Sequence, residues 1–174
     1  MFLEYFVNLR DFFDKGGVVL FAIFGVLTLM WILILERLFF FLFRLKDVHA
    51  ATLRDWQSRG DKSSWKAHKI REAMVVTMRL LANKRITLIK TLVAVCPLLG
   101  ILGTVTGMIL VFDVITITGT GNARGMAAGI TKATLPTMAG LVASLSGLLC
   151  AVRLERAAER AEEKLMDELQ ISTD

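Results

Sequence analysis

The chain has 174 residues, 55 % of them hydrophobic, with a mean hydropathy of +0.58, which leaves no room for a large soluble domain beside its apolar runs. Lys and Arg number 21 against 16 Asp and Glu, a formal net charge of +5, and the placement of those bases accounts for the excess without any nucleic-acid partner. The two cysteines, Cys96 and Cys150, both sit in apolar runs and provide neither a zinc set nor a disulfide framework, so no metal or cofactor is expected.

Residues 1–17 carry Phe2, Phe6, Leu9 and Phe13 at helical spacing before Gly16 and Gly17, a stripe suited to a short amphipathic segment on the outer membrane face or to a packed helix end. The first transmembrane helix is expected over 18–43: Val18–Leu35 is uncharged, and the run resumes after Glu36 and Arg37. It does not read as a cleaved signal peptide, because the preceding segment is not net positive and no small-residue cleavage site follows. Glu36 beside Arg37 reads as an ion-paired group at the membrane interface.

Residues 44–87 form a polar loop with two helical patterns. His49 to Arg59 is polar and stops at Gly60, while Ile70, Met74, Thr77, Leu81 and Leu88 keep a helical period after Trp65. That second pattern predicts one long helix running directly into the next span. From Arg44 to Lys90 there are twelve Lys and Arg against Asp47, Asp55, Asp61 and Glu72. Positive residues stay inside, so the loop is cytoplasmic, the N terminus is periplasmic and the C terminus is cytoplasmic.

The second transmembrane helix is expected over 88–117, with no charge from Thr91 to Phe112. Gly100, Gly103, Thr104 and Gly107 fall at i, i+3, i+4 and i+7, a small-residue face that lets helix backbones approach closely. A turn-rich connection, 118–125, makes a hairpin with the third span, 126–152, which is uncharged from Ala133 to Val152 and carries Gly140 as a further packing glycine. The tail, 153–174, alternates Arg153, Arg156 and Arg160 with Glu155, Glu159, Glu162 and Glu163, as a solvated helix does. The fold expected is thus all-α: three transmembrane helices, the second and third long and extending into the cytoplasm.

Polar groups inside the spans are the candidate functional residues. Thr104 and Thr137 lie on the small-residue sides of their helices, and Pro136 removes a backbone donor next to Thr137. No carboxylate lies deep in the second or third span. A proton path needs an ionisable carrier at membrane depth, so a path through these helices requires a carboxylate from another polypeptide. Lys132 stands near the outer end of the third span, as a snorkelling base or as a charge at a pore mouth.

Gly-Ile-Leu-Gly-Thr-Val-Thr-Gly-Met (Gly100–Met108) resembles the Gly-Leu-x-Gly-Thr-Val-x-Gly-Ile segment of the ExbB/TolQ/MotA proton-channel family, and Ile130–Ala143 resembles that family's Ile-x-Glu-Ala-Leu-x-x-Thr-x-x-Gly-Leu-x-x stretch. The likeness is specific in the last two spans and architectural elsewhere, and the chain is most similar to the ExbB branch. It implies a homo-oligomer, a pentamer, around an ExbD-like single-span subunit that donates the carboxylate, and a TonB-like protein as client. It also implies that Thr104 and Thr137 line the proton path, in a protein of the bacterial inner membrane that is not an enzyme. The family's glutamate aligns with Lys132, a charge reversal, and Lys132 lies about 140° around the helix from Thr137. A TolQ-like subunit of an envelope-constriction machine and a non-conducting scaffold are the competing readings.

Overall fold

The computed structural model describes the backbone of residues 2–62, 64–119 and 122–169, with the side chains of 2–9, 11, 15 and 118 left out. Among the described residues all regular structure is helical. Helix α1 is Phe2–Phe39, a π-helical turn follows at Phe40–Arg44, and then come α2 (Leu45–Gln57), α3 (Trp65–Asn83), α4 (Ile86–Thr118) and α5 (Ala123–Glu168). Three stretches, Gly16–Gln57, Trp65–Ile117 and Ala123–Glu168, are long and apolar enough to cross a membrane. The all-α, three-span expectation holds. The side chains of Phe2, Phe6 and Leu9, on which the N-terminal stripe rests, lie outside the described residues. Phe13 stacks on Phe21 with ring centroids 4.8 Å apart.

The chain divides into two compact units. The first comprises Met1–Trp31 and Lys90–Leu148. Its chain path bends at Gly17, whose φ of 69° inside α1 a residue with a Cβ rarely adopts. Helix α4 stops where Gly119 takes a φ of 69°, and α5 starts where the Asn122 side chain accepts from the Gly125 amide at 3.0 Å. These two caps make the α4–α5 turn shorter than the 118–125 connection the sequence predicts. Ile23, Cys96 and Ala143 form a buried kernel, backed by Val19, Val26, Leu27, Leu99 and Ala139.

The second unit comprises Ile32–Ile89 and Leu149–Asp174. Its core is Trp56, Ala67, Met78, Leu165 and Leu169, with Leu45, Val48, Leu53, Met74 and Val75 packed against it. Ser64 caps α3 by accepting from the Ala67 amide at 3.3 Å, an interaction worth about 1 kcal/mol. The Arg71 guanidinium donates to the carbonyls of Leu169 and Met166, both at 2.7 Å, and so serves two acceptors at the end of α5.

One expectation fails in this unit. The helix beginning at Trp65 does not run on into the second span; it ends at Asn83, and α4 begins afresh at Ile86. Lys84 is extended (φ −52°, ψ 128°) and Arg85 has a φ of 69°, the angles of a type II turn. The second central position of such a turn belongs to glycine, and holding a side-chain-bearing residue there costs about 1–3 kcal/mol. Remote contacts hold it in place. The Arg85 guanidinium pairs with the Glu36 carboxylate, and Arg37 donates to the Leu81 carbonyl at 3.3 Å. Glu36 is therefore ion-paired, but across the fold to Arg85, while Arg37 turns inward and is 4 % exposed.

Candidate functional site

The α4–α5 hairpin is built from small residues that alternate at spacings of four and three. On α5 Gly129, Ala133, Pro136, Gly140, Ala143 and Gly147 are buried at this spacing, and on α4 Val93, Cys96, Gly100, Gly103 and Gly107, with Val111 a further turn on. The helices meet backbone to backbone along these stripes. A Cβ on Gly107 would stand 2.5 Å from the Ala133 backbone, one on Gly140 would stand 2.6 Å from the Cys96 carbonyl oxygen, and one on Gly100 would stand 3.0 Å from the Thr137 Cα. Gly103 faces the Pro136 ring closely enough that any side chain would overlap it. In lipid such contact replaces the hydrophobic effect as the source of cohesion.

This closeness sets the polar chemistry. With the backbones in contact, the Thr137 hydroxyl crosses to α4 and donates to the Gly100 carbonyl at 3.0 Å, with the Ala133 carbonyl of its own helix at 3.4 Å. Thr104 lies one turn beyond Gly100 on α4 and donates to the Ile101 carbonyl at 2.7 Å. Both threonines are half-buried. A hydroxyl has one proton to give and two lone pairs to accept with, so each presents acceptor capacity to any further group. Thr134 and Thr106 are exposed and donate to carbonyls of their own helices. Pro136, fully buried, removes the amide that would serve the Lys132 carbonyl.

Lys132 is half-buried and makes no ion pair with the described residues. Among those residues there is no cluster of His, Cys, Asp or Glu that would hold a metal. Within the spans the hairpin therefore offers hydroxyls, backbone carbonyls and the Lys132 cation, and its acid, Asp113, stands near the C-terminal end of the second span rather than deep within it.

The profile of the MotA/TolQ/ExbB proton channel family matches residues 44–167. Biopolymer transport protein ExbB-like 1 of Synechocystis sp. is 31 % identical over 181 residues, covering 86 % of this chain and 71 % of its own length. The chain belongs to the MotA/TolQ/ExbB proton channel family. ExbB-like 3 of the same organism is 40 % identical over 67 residues, 37 % of this chain and 32 % of that protein. As a member of this family the chain is a multi-pass membrane protein, consistent with its three apolar helices.

In this family member, sequence reasoning picked out Gly100, Gly103, Gly107 and Gly140 but missed Gly129 and Gly147, which abut Val111 and Met30. The alternating spacing of small residues through α5 carried that signal. It also missed the inward turn of Arg37 and the bond from Thr137 to Gly100, which no spacing rule announces.

Proposed function

We propose that the chain is the channel subunit of a proton-motive-force-driven motor in the bacterial inner membrane, energising a TonB-like protein for transport across the outer membrane. The N terminus lies in the periplasm and the C terminus in the cytoplasm. Copies of the chain, five in our reading, surround an ExbD-like single-span subunit whose carboxylate carries the proton, and the chain has no chemical step of its own. The observation that carries this reading is the pairing of half-buried hydroxyls at Thr104 and Thr137 with the lack of any acid deep in either span. Neutral hydroxyls orient and hydrate a proton path but do not relay charge alone. Family membership and the ExbB-like relative support the same assignment.

The test replaces each threonine by valine, which keeps shape and removes the hydroxyl. Thr104→Val and Thr137→Val complexes should assemble with the partner at normal levels yet lose most proton-dependent uptake. Full uptake by both variants would remove the pore-lining role and favour the scaffold reading. Rescue of an envelope-constriction defect, with no effect on uptake, would favour a TolQ-like client.

A further inference from the structure

The break between α3 and α4 stands where the local sequence gives no reason for one. Asn83, Lys84, Arg85 and Ile86 include neither glycine nor proline, and Lys and Arg are good helix formers. The second central position of the turn nonetheless holds Arg85 at a φ of 69°, where a Cβ is strained. The carbonyl of Leu81 is the acceptor that a continuous helix would assign to the Arg85 amide. Instead the extended Lys84 swings that amide off the helical line, and the Arg37 guanidinium donates to Leu81 at 3.3 Å. Arg37 is 4 % exposed, its guanidinium lies 4.9 Å over the Phe40 ring, and its Nε is buried without a partner. Glu36, the preceding residue of α1, holds the Arg85 guanidinium.

We infer that residues 81–89 form a two-state joint in which the Leu81 carbonyl is served by Arg37 in the broken state and by the Arg85 amide in the closed one. The broken state, seen here, is held by the two ties from α1 and carries two local penalties, the strained φ and the unpaired Nε. The alternative state gives Leu81 its helical donor, returns Arg85 to right-handed geometry and frees Arg37. Because both ties sit on neighbouring residues of α1, Glu36 and Arg37, any motion that draws this part of the first helix away releases them together. The joint is thus a conformational device operated from the first helix. It stands independently of the proposed proton path and involves neither Thr104 nor Thr137.

Residue-resolved amide exchange on the full chain in its membrane complex tests this. Arg85→Ala removes the tie to Glu36 but keeps the strain, so the joint should close and exchange at residue 85 should slow at least tenfold. Arg85→Gly removes the same tie and the strain together, so exchange should stay within about threefold of the wild type. Arg37→Met removes the donor that serves Leu81 in the broken state and should slow exchange as Arg85→Ala does. Equal exchange in the alanine and glycine variants, or faster exchange in the alanine variant, would overturn the two-state joint. The alanine and glycine pair decides the matter even if loss of the buried Arg37 prevents folding.

Discussion

The Thr137 hydroxyl spends its one proton on the Gly100 carbonyl of the facing helix, while the Thr104 hydroxyl spends its proton within its own helix. The two valine substitutions should therefore differ in stability before they differ in function. Thr104→Val loses only a local bond, whereas Thr137→Val also loses an interhelical one, worth about 0.6 kcal/mol in membrane proteins. We expect a slightly lower melting temperature for Thr137→Val, an unchanged one for Thr104→Val, and little effect of either kind from Thr106→Val. Coincident melting with lost function in both would show that the interhelical bond contributes nothing to stability. Lys132 has no acid to pair with among the described residues. If it faces a partner's charge, Lys132→Gln should impair proton-dependent uptake while Lys132→Arg retains it. A snorkelling stem would tolerate both changes equally. Position and polarity of these residues were readable from the sequence. The acceptor of each hydroxyl was not, because it depends on how closely two distant backbones approach.

At the scale of elements, the hairpin makes a graded prediction about its glycines. At Gly107 and Gly140 an added Cβ would meet backbone of the facing helix, at 2.5 Å and 2.6 Å, and backbone cannot swing aside. At Gly100 the nearest atom is at 3.0 Å, and at Gly25 nothing lies within 4 Å. Gly107→Ala and Gly140→Ala should each cost about 1–3 kcal/mol by overpacking. Gly100→Ala should cost less, and Gly25→Ala should be neutral or gain up to about 1 kcal/mol by restricting the unfolded chain. Thermal unfolding in one detergent would order the four; a Gly107→Ala protein as stable as the wild type would mean that the helices do not meet there. The small-residue stripes that produce this packing stand open in the sequence as a period shared by both helices. The break at Lys84–Arg85 does not. Local propensity favours helix through that segment, and the opposing contacts come from Glu36 and Arg37, dozens of residues earlier in the chain.

For the whole molecule, the decisive fact is how little of each span the chain itself covers. Only 22 %, 22 % and 28 % of the most apolar windows of the three spans are buried within one copy. Lipid satisfies apolar side chains, so that exposure alone requires no partner. A polar path is another matter, because groups that carry or hydrate protons cannot be left facing hydrocarbon. Two of the three helices are pressed together through glycine, and no acid lies deep in the second or third span. On the proposed reading the conducting unit is several copies closed around a partner that brings the carboxylate. Native mass spectrometry of the complex should show a ring of five chains, in our reading, with single-span partner chains inside it. Replacing the partner's membrane carboxylate by its amide should leave that stoichiometry intact and abolish proton-dependent work. A complex that conducts protons as one copy of this chain, or that works with the partner's carboxylate removed, would place the proton carrier within these helices and overturn the shared-path mechanism.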